Sequence, residues 1–181
     1  MSHQLRLFHF SENPNIELFV PRPRPLRKII GRPDEESLVW AIDEGHSPMY
    51  LFPRECPRLL LWPIAGSTTG DIREWMGEDP LRMVAYIERG WVERIEACSL
   101  YRYEFGATAF ESINDAGAYV SERTTTPSKS EAVGGLGKVL GNADVELRII
   151  DSLQEASHAV TSSLHLSAVR SRNAKEWNPR R

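Results

Sequence analysis

The chain has 181 residues, of which 41% are hydrophobic and 26% charged, with a formal net charge of −3, which places it among ordinary globular proteins. A body of this size buries roughly 70% of the surface its unfolded chain exposes, so it needs neither a metal nor disulfides to stay folded. Cys56 and Cys98 are too few for a disulfide framework and have no ligand spacing, so the reducing cytoplasm is the expected location. No basic start followed by an apolar run opens the chain, and no stretch approaches the ~20 apolar residues of a membrane span, so neither a secretory signal nor a membrane anchor is expected.

Charge is distributed unevenly. Residues 21–32 carry Arg22, Arg24, Arg27, Lys28 and Arg32 without an acid, and the last dozen residues carry Arg170, Arg172, Lys175, Arg180 and Arg181 against Glu176. A duplex-binding surface normally comes with an overall basic domain, so nucleic acid is not the favoured partner.

Leu5 to Ser11 alternates as a strand, with Leu5, Leu7 and His9 on one face and Arg6, Phe8 and Phe10 on the other. A turn at residues 11–15 and a short apolar segment, Ile16 to Val20, lead into a long Pro/Arg loop over 21–37, where Pro21, Pro23 and Pro25 preclude helix and ladder alike. Leu38 to Ile42 is a continuous apolar run and predicts a buried strand ending at Asp43. Asp43 caps a predicted short helix that Pro53 closes.

Arg58–Trp62 predicts a strand, and 63–80 reads as loop with one turn around Ile72–Met76. Met83–Glu88 fits a strand or, with Met83, Ile87 and Trp91, a helical stripe. Strands are expected at Leu100–Phe105, Ala118–Ser121 and Val145–Ile150, with Glu146 and Arg148 forming a cross-strand ion pair. A helix capped by Ser130 would carry Val133, Leu136 and Leu140, its glycines 134, 135 and 137 implying close packing against them. The capping pattern at 151–155 and the stripe Leu153, Ala156, Val160, Leu164 predict a further helix. The class is α+β, with small, mainly antiparallel sheets and flanking helices over a single domain at 1–166, followed by a basic tail at 167–181.

No P-loop, G-x-G-x-x-G, H-E-x-x-H or G-x-S-x-G occurs, and no spacing marks a metal site. The candidates are scattered polar groups. His9 and Ser11 end the first strand, where they face a cleft or are satisfied by backbone. His46 and Tyr50 share one face of the short helix. Tyr119, Ser121 and Arg123 share one face of an extended segment, with Glu122 opposite; an aromatic platform, a hydroxyl and a guanidinium suit a nucleotide. Arg54, Arg123 and Arg148 are the candidate holders of a small anion.

The blocks Leu7–Ile16, Val39–Tyr50, Phe52–Arg58, Gly117–Ser121, Val145–Arg148 and Arg170–Ala174 resemble a bacterial family of unknown function along nearly the whole chain. A strand ending in an aromatic-His step, a second strand leading to an inward tyrosine, and a late Tyr-x-Ser segment before a proline resemble the ADP-ribosyltransferase-like superfamily. That resemblance implies split antiparallel sheets clasping NAD, which enters as substrate rather than resident cofactor. It assigns His9 to the nicotinamide ribose, Tyr50 to stacking on nicotinamide, and an acid to the oxocarbenium-like ribosyl centre. Glu88, Glu104 and Glu122 are the available acids, Glu122 being the one next to Ser121. The E-x-E pair of those enzymes is absent, and Phe10-Ser11 replaces their Gly-Thr after the histidine. Three readings follow: an ADP-ribosyl-transfer enzyme, a non-catalytic module for a nucleotide or small anion, and a basic interaction surface.

Overall fold

Among the described residues eleven segments pair as strands, most of them alternating or continuous apolar runs. In the computed structural model, which describes residues 5–23, 29, 32, 33 and 36–179, they are β1 (Leu7–Ser11), β2 (Arg22–Pro23), β3 (Ser37–Asp43), β4 (Arg58–Trp62), β5 (Met83–Glu88), β6 (Leu100–Phe105), β7 (Glu111–Ser112), β8 (Ala118–Ser121), β9 (Lys129–Val133), β10 (Val145–Ile150) and β11 (His165–Val169). Three α-helices join them, α1 (Thr69–Met76), α2 (Val92–Ala97) and α3 (Leu136–Asn142), with 3-10 helices at Ser47–Tyr50 and Leu153–Thr161 among others. The α+β class expected from the sequence is the class observed. Contacts gather the chain into two compact units, Met1–Tyr50 with Ser99–Val133, and Leu51–Cys98 with Gly134–Arg181.

The first unit is built on an antiparallel sheet in the order β7-β8-β3-β1-β6-β9, with β2 also paired to β3. The inner position of β1 between β3 and β6 explains why Leu7 and Phe8, on opposite faces, are both fully buried. Leu7, Phe19, Val39, Ala41, Tyr103, Phe105 and Phe110 form the main cluster, and burial of each large side chain contributes about 1.5–3 kcal/mol. Leu38, Val120 and Ile29 form a smaller one.

The second unit holds a four-stranded sheet, β10-β5-β4-β11, in which only β5 and β10 run parallel. Leu59, Leu61, Val84, Met76 and Leu153 centre its cluster. Glu88, the last residue of β5, is 2% exposed and accepts the backbone N–H groups of Leu153 (3.2 Å) and Lys175 (3.0 Å). Asn173 donates to the Glu55 carbonyl (2.8 Å) and carboxylate (2.9 Å), while Ala174 and Trp177 pack on the cluster. Several described residues after 166 are therefore tied down: Ser167–Val169 complete β11 against β4, where the composition suggests polar fringe.

Several local expectations are corrected. The segment after Asp43 makes one 3-10 turn, Ser47–Tyr50, because Pro48 supplies no N–H and Pro53 follows closely. Residues 63–80 contain the eight-residue α1, whose N-cap Thr68 accepts from Asp71 N (3.1 Å). Met83–Glu88 is a strand with every residue buried, which removes the helical alternative. Ser130 lies in β9, paired to β6, and α3 starts later, after Gly135 at φ +63°. No atom lies within 4 Å of a Cβ built on Gly134, Gly135 or Gly137, so backbone conformation at Gly135, and not close packing, accounts for glycine there.

The capping box at Ser152 and Glu155 forms as the sequence indicates, but the helix it opens is 3-10, Leu153–Thr161. Pro23 pairs in a two-residue ladder, which an edge position tolerates. Glu146 and Arg148 pair within their own strand (2.7 Å), and the Arg148 guanidinium also donates to the Trp75 (2.8 Å) and Met76 (2.7 Å) carbonyls at the end of α1. In the Pro/Arg loop, Arg24, Arg27 and Lys28 lie outside the described residues.

Candidate functional site

The turn before β8 places Asn114, Ala116 and Gly117 at positive φ and returns the chain along β3. β8 ends at Ser121 because its hydroxyl accepts the backbone N–H of Arg123 (3.2 Å), and Thr125 then exchanges two 2.9 Å hydrogen bonds with Phe19. Side-chain alternation stops at that bend. Glu122 and Arg123, expected on opposite faces, accordingly line one pocket with Ser121. Its volume is ≈ 210 Å³; Arg32 and Glu111 complete the charged wall, and Phe110 and Val120 contribute apolar surface.

Arg32 organises the charges. Its Nη1 lies 2.7 Å from Glu36 and 2.8 Å from Glu122, and its Nη2 lies 2.6 Å from Glu111. Hydrogen bonding to Arg32, reinforced by the Glu36 side chain, holds the Glu122 carboxyl below the usual carboxylate range, and the same contacts raise the Arg32 guanidinium. Arg123 is exposed at the pocket and forms an ion pair with none of the described carboxylates. A hydroxyl, two guanidiniums and carboxylates converge here, a set able to hold an anion and hydroxyl donors together.

The remaining candidates do not line this pocket. His9 Nδ1 donates to the Trp40 carbonyl (3.0 Å), and its ring packs edge-on to Phe19 (centroids 4.9 Å apart). Buried Ser11 accepts from Asn13 N (3.1 Å) and so fastens the loop that follows β1. His46 is bound to Asp43, and half-buried Tyr50 closes the 3-10 turn of the same segment. Tyr119 packs on the main cluster of the first unit. Arg54 belongs to the second unit, exposed and 3.8 Å from Glu55. Of the other acids weighed, Glu104 is bonded to Arg6 and Glu88 is buried as described.

Burial pushes the Cys56 thiol up to about 12, which removes it as a thiolate nucleophile at neutral pH. Among the described residues, no group of three His, Cys, Asp or Glu side chains is arranged to hold a metal ion, and no helix is long and apolar enough to cross a membrane.

Sequence reasoning overlooked Glu36 and Glu111 and saw Arg32 only as part of a basic run. Arg32 is 79 residues from Glu111 and 90 from Glu122, so no local spacing announces the cluster.

Residues 8–174 match the model of a family of unknown function (DUF6886). The chain belongs to that family. No curated protein and no solved structure matches it significantly.

Proposed function

We propose that this family member binds a small anion-bearing molecule of the nucleotide class in the pocket at the end of β8. The observation that carries the reading is the convergence of Ser121, Glu122 and Arg123 with Arg32 on one concave surface. Arg123 offers its guanidinium to a phosphate, Ser121 stands beside it, and Glu122 accepts from hydroxyl groups such as those of a ribose. Calorimetric titration with AMP, ADP-ribose and NAD tests it: binding by the wild type that weakens at least tenfold in Arg123→Gln supports the reading. Absence of binding by all three ligands ends it.

A second reading, NAD-dependent ADP-ribosyl transfer, is favoured by one feature, the Glu122 carboxylate that Arg32 holds in place on the pocket wall at 2.8 Å. In that chemistry the C1′–N bond of NAD breaks, its electron pair leaves with nicotinamide, and a carboxylate stabilises the positive ribosyl centre until an acceptor attacks. Nicotinamide release by the wild type, lost in Glu122→Gln, distinguishes transfer from binding alone.

A further inference from the structure

The wall of the pocket at the end of β8 carries charges of both signs, Arg32 and Arg123 against Glu111 and Glu122. Glu36, Glu111 and Glu122 all lie against Arg32, at 2.7, 2.6 and 2.8 Å. On the lining itself two guanidiniums stand against two carboxylates, because Glu36 is not part of the pocket wall.

A bare dianion entering this space meets Arg123 but also the carboxylates of Glu111 and Glu122, both exposed on the lining. Repulsion of this kind disfavours the wrong partner as effectively as attraction favours the right one. The volume, ≈ 210 Å³, lies below the ~300–1,000 Å³ of sites for drug-sized molecules, so the portion of ligand it encloses is small. Two opposite charges are thus presented within one small hollow.

We infer that the ligand enclosed here is zwitterionic, with a phosphate or carboxylate set against Arg123 and an ammonium-type cation set against Glu111 and Glu122. The inference rests on the anion-binding part of the reading above, a phosphate held by Arg123, and adds a cationic group to the ligand. Arg32 is the positioning residue: by bonding one oxygen of each glutamate it fixes both carboxylates while their remaining oxygens keep acceptor capacity. A simple anion-binding pocket would not require acids on the same wall.

Calorimetric titration at low salt with inorganic phosphate, ethanolamine and phosphoethanolamine separates the alternatives. The expected result is phosphoethanolamine binding at least tenfold tighter than either fragment, with the advantage over phosphate erased in Glu111→Gln and in Glu122→Gln. Arg123→Gln weakens phosphoethanolamine and phosphate alike. Circular dichroism confirms that these exposed-site variants fold. Phosphate binding as tightly as phosphoethanolamine overturns the zwitterion and leaves the pocket assignment standing. So does binding of AMP without phosphoethanolamine. Failure of all these probes, NAD included, overturns both.

Discussion

Asp43 and His46 are joined twice through a single carboxylate oxygen: Asp43 Oδ1 accepts the backbone N–H of His46 at 2.7 Å and its Nδ1–H at 2.8 Å. Gly117 completes the arrangement from the neighbouring turn, its carbonyl accepting Asp43 N at 2.9 Å. At φ +71°, a Cβ on Gly117 would stand 2.3 Å from His46 Nδ1 and 2.6 Å from Asp43 Oδ2. The end of β3, the 3-10 turn and the start of β8 are therefore locked by one glycine.

Gly117→Ala is expected to destabilise the protein by about 2–4 kcal/mol, combining left-handed backbone strain with displacement of the Asp43–His46 pair. Urea denaturation measures it, and a change below about 0.5 kcal/mol, the level of an ordinary surface substitution, contradicts the close approach. Asp43→Ala removes the carboxylate acceptor and should cost about 1 kcal/mol as a lost cap, with the space at Gly117 left open.

Glu88 makes the second unit depend on its last residues. Glu88→Leu leaves the buried Leu153 N–H and the part-buried Lys175 N–H without their acceptor and should cost about 1–3 kcal/mol, the usual range for an unsatisfied buried donor. Hydrogen exchange gives a sharper measure: protection of the Lys175 amide should fall in the variant while that of β9 amides in the first unit is retained. Equal loss at both places would show that Glu88 does not act locally.

Acid should destabilise the fold in a defined direction. The Asn173 hydrogen bond lowers the Glu55 carboxyl, Arg6 lowers Glu104, and Lys129 with Arg102 lowers Glu131. Each group is lower in the folded than in the unfolded chain, so the unfolded chain takes up protons first. Stability present above the ordinary carboxylate range is lost as the pH falls through and below about 4. Urea midpoints at pH 7 and pH 3.5 should differ accordingly, and Arg6→Gln should shrink the difference. A midpoint independent of pH contradicts the assignment.

The two thiols should differ in reactivity. Cys56 is buried with its thiol raised to about 12, whereas Cys98 is half-buried. A thiol reagent at pH 8 should modify Cys98 readily and Cys56 only after denaturant is added. Rapid labelling of Cys56 in native protein would show that β4 opens without global unfolding.

What could be read from the letters and what could not follows from the range of the forces involved. β1, β3, β4, β6, β8 and β10 announce themselves because their residues alternate or run apolar within a few positions. The helix α1 was hidden by Gly70 and Gly77, although Thr68 and Asp71 form a capping signal three residues apart. The end of β9 imitates a helix because Val133, Leu136 and Leu140 keep helical spacing across a break at Gly135. At the pocket, Ser121, Glu122 and Arg123 were legible as chemistry but not as neighbours on one wall. Their alternation ends in a hydroxyl-to-backbone bond, and their charge partners come from β7 and the Pro/Arg loop.

The pairing of β4 with β11 has a consequence for how the molecule is made. Every strand of the first sheet has been made once residue 133 is added, whereas β4, paired with β5 along one edge, awaits the partner of its other edge more than a hundred residues downstream. During translation that hydrophobic edge stands uncovered while the first sheet can already close. Such sequence-distant closure is slow and exposes sticky intermediates, so chaperone dependence of the nascent chain should begin with β4 and end only when β11 clears the ribosome.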